Sequence, residues 1–261
     1  MLSPGQLSVL HKFKGILFST ASSRELLDSL DSFDAREDDV FLVSYPKSGT
    51  HWVAEVIENI PNAKITITSP IELGDISKFD ELKTYSKRRV IPTHLSYDML
   101  PVDIKQKQCK VIYIIRNPKD TAVSLFHYYR DNPNLPYIET WAAFLELFLR
   151  GDGKYNNVFN IHNIHLKKIT TFLGMHVNDS EINNIAWKTS FSEMKNNTVK
   201  ESHDPNHTIC ALTSERNLVF RKGVVGDWIN YFTSKQKRVF DELFTEKMKH
   251  SELARCLKEY S

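Results

Sequence analysis

The stretch VFLVSYPKSGTHWVAEVIENI, Val40 to Ile60, decides the fold. Four consecutive apolar residues, Val40, Phe41, Leu42 and Val43, predict a short buried strand. Beyond Tyr45-Pro46, the residues Val53, Val56, Ile57 and Ile60 recur at i, i+3, i+4 and i+7, which is one face of a helix. Between strand and helix stand Lys47, Ser48, Gly49, Thr50 and His51. Unpaired N–H groups at a helix start carry partial positive charge, and a phosphate or sulfate fits there. Gly49 admits close approach of the backbone, Lys47 adds a full charge, and Ser48, Thr50 and His51 add hydrogen bonds. An ordinary capped turn is the competing reading; Lys, Ser, Gly and Thr in succession favour the anion site. The nucleoside-triphosphate loop G-x-x-x-x-G-K-[ST] is not present, because Lys47 precedes a single glycine. That argues against a standard ATPase or kinase.

Outward from this stretch, strands and helices alternate. A helix is predicted around Ser23–Ser32, residues 61–89 read as loop ending in the basic run Lys87-Arg88-Arg89, and Val90-Ile91 lead into Pro92-Thr93-His94. The run VIYII, 111–115, bounded by Lys110 and Arg116, reads as the clearest buried strand. Asn117-Pro118 is a helix start, with Asn as cap and Pro at the first position, and that helix runs to about Arg130. Further helices are predicted over Glu139 to Arg150, over Asn163 to Leu173 with Gly174 as stop, from about Asp179, and from Thr233, where Thr-x-x-Gln suggests a capping box over a Phe240, Leu243, Phe244 stripe. The alternation predicts an α/β fold with a parallel sheet. Ligands in such folds bind beyond the carboxyl ends of the strands, which is where Lys47, His94 and Arg116 fall.

Length and composition set bounds. The chain's 261 residues suit one α/β domain, 1–261, and 41% hydrophobic with 25% charged residues is the balance of a soluble protein. A net charge of +2 gives no global attraction to nucleic acid or membrane. Three widely spaced cysteines, Cys109, Cys210 and Cys256, argue against a disulfide framework or zinc site and fit a reducing, cytoplasmic compartment. His162 and His165 lack a third ligand nearby, so no metal is expected. No apolar run reaches membrane-spanning length.

Three blocks, YPKSGTHW (45–52), RNPKDTAVS (116–124) and FRKGVVGDW (220–228), resemble the signature blocks of the cytosolic sulfotransferases, in that family's order. The resemblance implies a P-loop-like three-layer fold with a central parallel sheet flanked by helices. It implies transfer of a sulfuryl group from 3′-phosphoadenosine-5′-phosphosulfate (PAPS) to a hydroxyl or amine of a phenol, alcohol, steroid or amine acceptor. Lys47, Ser48, Gly49, Thr50, His51 and Trp52 correspond to the loop on the 5′-phosphosulfate, with Trp52 beside the adenine. Arg116 and Ser124 correspond to holders of the 3′-phosphate, and Arg221, Lys222 and Gly223 to a second clamp on it. Thr189, Ser190 and Phe191 resemble a further cofactor-contacting segment. His94 corresponds to the catalytic base and Lys47 to the group that stabilises the bridging oxygen. Phe18, Phe79, Tyr85 and Tyr137 are candidate acceptor contacts, with core packing as an equal alternative reading for each.

The sequence departs from that pattern at four places. Pro92 stands where the family often has Lys, and His51 where it has a hydroxyl residue. Gly151 to His162 is too short for the family's Trp-rich helix and following buried strand, which carries its adenine-contacting Tyr; Tyr155 sits in a different context. The dimer motif K-x-x-x-T-V-x-x-x-E reads here from Ile229 through Thr233-Ser234 to Arg238, without either charged end, which argues against a dimer made that way. The shortened centre keeps a second reading open, that of a nucleotide-binding relative with weak or no turnover.

Overall fold

The computed structural model describes residues 9–150, 166–200 and 218–249. The shortened stretch 151–162, with Tyr155, and His165 lie outside them. Two short strands, β1 (Leu10–Phe13) and β2 (Ile16–Ser19), form an antiparallel hairpin through Lys14 and Gly15, both at positive φ. The sequence reading has no strand here, because four residues a side are too few for alternation to show. The helix expected over Ser23–Ser32 divides into α1 (Arg24–Asp28), capped by the Ser23 hydroxyl, and a 3₁₀ turn over Leu30–Ser32.

The loop-to-helix reading of residues 40–60 is observed as β3 (Val40–Ser44) and α2 (Thr50–Glu58). Residues 61–89, read as loop, instead contain β4 (Ile65–Ile67), α3 (Lys78–Thr84) and the start of β5 (Arg88–Thr93). Beyond β5 come the short α4 (Val102–Gln106), β6 (Lys110–Ile114), α5 (Pro118–Asp131) and α6 (Trp141–Arg150). Then follow α7 (Leu166–Leu173), α8 (Asp179–Lys188), α9 (Phe191–Lys200) and α10 (Ser234–Met248). The helix signals hold where a cap writes them: Asn117 accepts from Lys119 and Asp120, and Thr233 and Gln236 form a reciprocal box.

The main sheet is parallel throughout, in the order β4-β5-β3-β6. Alternate residues of β3 serve two cores. Phe41 and Val43, with Ile91, pack against Phe79 and Leu82 of α3, Leu125, Phe126 and Tyr129 of α5, and Phe144 of α6. Val40 and Leu42, with Val90 and Ile114, pack against Val53, Val56 and Ile57 of α2, Ile169 and Leu173 of α7, and Ile185 of α8. Each such side chain, once fully buried, contributes about 1.5–3 kcal/mol. Three layers follow, with β3 at the centre aiming its carboxyl end into the Lys47 loop.

Two strands carry less expected features. Pro92 sits inside β5, opposite Leu42. Its carbonyl accepts from the Ile71 N–H on the side where β4 has already ended, so its missing N–H leaves no ladder bond unmade. The run 111–115 is not fully buried: among the described residues β6 is an edge strand paired only with β3, and Val111 and Tyr113 are 40% and 41% exposed.

Candidate active site

The loop after β3 is shaped by two left-handed residues. Lys47 has φ 66° and Gly49 has φ 107°, a value that glycine tolerates without strain. Gly49 also forms the cap position of α2, so the amides of the first turn of α2 face the same concavity as Lys47. Ser48 is buried and its Oγ has no hydrogen-bond partner. Buried hydroxyls are normally satisfied, and one left over in a cationic loop fits an anion supplied from outside.

The residues named from the sequence gather around this loop from four segments. Arg116, just past β6, donates to the Lys47 carbonyl at 2.8 Å. The Lys47 ammonium lies 4.5 Å from the centre of the Tyr128 ring of α5 and donates to the Leu218 carbonyl at 3.3 Å. Burial of the ammonium, followed by the charges of Arg116 and Arg221, lowers its pKa to about 7. Burial and Arg221 likewise lower the pKa of Arg116. The charges of Arg116 and Arg221 therefore disfavour the Lys47 ammonium, which an anion beside it would relieve. Ser124 is half-buried in the second turn of α5.

The segment 221–231 is held by carboxylates the sequence reading did not assign. Asp227, buried, accepts from Arg221, from Lys222 at 2.7 Å and from Asn230 at 2.9 Å. Burial alone would raise its pKa; the bonds from Lys222, Arg221 and Asn230 hold it well below the usual carboxylate range. Asp120 of α5, also buried, accepts from the backbone amides of Gly226 at 2.7 Å and Trp228 at 3.0 Å. His127 of α5 shares a 2.7 Å hydrogen bond with the Tyr231 hydroxyl, and burial with the Arg221 charge lowers its pKa to about 4, so it stays neutral. Gly223 has φ 67°, and a Cβ there would fall 2.3 Å from the Phe191 ring, so no other residue fits. The Trp52 indole donates to the Thr189 carbonyl at 2.9 Å and packs with Phe191 and Phe220. This brings Trp52, Thr189, Phe191 and Gly223 into one wall.

His94 is the first residue after β5. Its Nδ1 lies 2.9 Å from the Ser44 carbonyl, an oxygen that only accepts, so Nδ1 carries the proton and Nε2 is the basic nitrogen. The Ser44 hydroxyl lies 3.3 Å from the same Nδ1 and 2.5 Å from the Thr50 hydroxyl, so the strand end, the loop and the imidazole form one network. Its backbone N–H donates to Glu72. Of the candidate acceptor contacts, Phe18 and Phe79 belong to the core, Tyr85 donates to Glu81, and Tyr137 is exposed. Among the described residues no group of three or more His, Cys, Asp or Glu could hold a metal ion, and no helix is long and apolar enough to cross a membrane.

A parallel sheet with cations converging beyond the carboxyl ends of β3 and β6 defines an α/β protein built to take an anionic ligand. A family model described as the Sulfotransferase domain matches residues 37–163 and 162–252. The chain belongs to the sulfotransferase family. It is 32% identical to mouse Sulfotransferase 6B1 over 277 aligned positions, covering 94% of this chain and 88% of that protein. Those positions outnumber the chain's 261 residues, so the relative carries residues this chain lacks. The crystal structure of mouse sulfotransferase SULT7A1 complexed with PAP is 68% identical, with a TM-score of 0.90, covering 97% of this chain and 100% of that one. Retinol dehydratase, solved with retinol and PAP, shares the fold at 19% identity, with a TM-score of 0.71 and 96% of each chain covered.

Proposed function

We propose that the chain transfers a sulfuryl group from PAPS to a hydroxyl or amine of a small-molecule acceptor. The observation that carries this is the convergence of Lys47, Arg116 and Arg221 on one loop, where desolvation and the neighbouring guanidinium charges disfavour the Lys47 ammonium until an anion lies beside it. The unpartnered Ser48 hydroxyl in the same loop fits a phosphosulfate oxygen. Arg116, Ser124, Arg221, Lys222 and Gly223 hold the 3′-phosphate. The loop Lys47, Ser48, Gly49, Thr50 and His51 holds the 5′ end, and Trp52, Thr189 and Phe191 the nucleoside. PAPS supplies the activated sulfuryl group. His94 Nε2 takes the acceptor's proton, while the Lys47 ammonium stabilises charge growing on the bridging oxygen. The residues 1–261 act as one domain, in the cytoplasm, with no metal, and without a dimer made through Ile229–Arg238.

His94→Ala is expected to slow labelled sulfate transfer to a panel of phenols and steroids by roughly 10²–10⁴-fold. Calorimetry should still show adenosine 3′,5′-bisphosphate bound at wild-type affinity and ATP bound far more weakly. Wild-type turnover by the variant removes His94 from the mechanism; failure of the wild-type chain to bind the bisphosphate removes the whole reading. A nucleotide-binding relative without turnover is the second reading, favoured by the exposed face of β6. It predicts bisphosphate binding with no transfer to any acceptor.

A further inference from the structure

Glu72 lies in the segment between β4 and α3, and its carboxylate is completely buried. Taking a carboxylate out of water costs several kcal/mol unless both oxygens are used. Both are. One oxygen accepts the backbone N–H of His94 at 2.9 Å, and the other accepts the Thr93 hydroxyl, also at 2.9 Å. The Thr93 oxygen in turn accepts the N–H of Leu95 at 3.1 Å. One carboxylate therefore governs three consecutive residues at the point where β5 ends.

The imidazole of His94 is held from the opposite side, through Nδ1 and the Ser44 carbonyl. Main chain and ring are thus tied to two different segments. A loop residue gripped at only one end would be free to move its basic nitrogen relative to the Lys47 loop. Proton transfer needs that nitrogen within hydrogen-bond reach of the acceptor, and a displacement of about 1 Å costs roughly 10²-fold.

We propose that Glu72 is a positioning residue for sulfuryl transfer: through the His94 N–H and the Thr93 hydroxyl it sets the place of the basic imidazole. This rests on the reading of His94 as the base. The test is a double-mutant cycle on the full chain, with an acceptor that the wild type turns over. Glu72→Gln removes the charge and puts an amide N–H₂ either against the His94 N–H, which can only donate, or against the Thr93 hydroxyl, which must then turn to accept and gives up its own bond to residue 72. It is expected to lower kcat by roughly 10²-fold and to leave the affinity for adenosine 3′,5′-bisphosphate unchanged. Added to His94→Ala, it should lower kcat no further, since a residue acting only through His94 has nothing left to position.

Wild-type kcat in Glu72→Gln, effects that multiply in the double variant, or bisphosphate affinity falling in step with kcat would each overturn the proposal. A slow His94→Ala beside a fast Glu72→Gln refutes the positioning role and leaves the base standing. A fast His94→Ala refutes both. Should Glu72→Gln not fold, Thr93→Val decides. It removes one of the two donors, and a roughly tenfold loss of kcat, again absent in the His94→Ala background, is expected; an unchanged kcat overturns the proposal.

Discussion

Lys47 carries the largest electrostatic tension in the site. Its ordinary pKa of 10.5 is lowered to about 7, first by burial and then by Arg116 and Arg221. A phosphate placed among these groups favours the charged ammonium, so binding raises that pKa. Above about pH 7 the ligand-free protein has lost the proton and must regain it to bind. Affinity for adenosine 3′,5′-bisphosphate should therefore weaken as pH rises between about 7 and 9, by up to roughly tenfold per unit. Across this range the ligand's own phosphates, with a second pKa near about 6, are already ionised. Calorimetry in buffers of different ionisation enthalpy should also show proton uptake on binding. Lys47→Met should bind more weakly and lose both signatures. At this scale the sequence is most informative where chemistry is local. Lys47, Ser48, Gly49 and Thr50 lie side by side, and their residue types speak together. Glu72 does not stand out, because an isolated acid in a sequence reads as surface; Asp120 and Asp227 lie inside the blocks 116–124 and 220–228 but carry no visible role, because each acts on backbone or side chains that only folding brings to it.

At the scale of elements, Arg89 shows how far such a reading can miss. In sequence it ends the basic run Lys87-Arg88-Arg89, at the close of a stretch read as loop. In the structure it is 1% exposed and bonds both oxygens of the buried Asp39, at 2.8 and 2.6 Å. It also donates to the Leu82 and Asp34 carbonyls. The pair ties β5 to the segment that leads into β3, the two strands whose ends carry His94 and the Lys47 loop. Arg89→Met would leave the buried Asp39 with only the Arg36 backbone N–H at 2.7 Å and the more distant Arg36 guanidinium at 3.8 Å, and is expected to cost about 3–5 kcal/mol. At roughly 2–4 °C per kcal/mol this lowers the melting temperature by about 10 °C. Adding Asp39→Leu should restore much of it, and thermal unfolding followed by circular dichroism checks both. Element starts were legible where a cap was read, as at Asn117 and Thr233; the capping box of Asn178 with Glu181 appears only in the structure, though the helix start beside it was expected. The β1–β2 hairpin, β4 and α3 were not, since short elements are specified by what they pack against more than by their own period.

For the molecule as a whole, the altered segment Ile229–Arg238 bears on assembly. Thr233 is occupied in capping α10, and Ile229 is 67% exposed. With neither charged end of the dimer motif present, sedimentation at micromolar concentration should find single chains, and charge restoration by Ile229→Lys with Arg238→Glu should shift the population toward pairs. A wild-type dimer that dissociates on changes within 229–238 would contradict this.

By itself the sequence determined the α/β alternation with its parallel sheet, the Lys47 loop and the family, because hydrophobic period, caps and contiguous motifs are properties of neighbouring residues. Only the tertiary structure decided that β6 lies at the edge of the described sheet, that Arg89 is internal, and that Arg116, Arg221 and Lys47 share one field. It also decided which carboxylates hold His94 and residues 221–231 in place. Those outcomes depend on distances between residues far apart in the chain, and such distances exist only once two cores have closed on the two faces of β3.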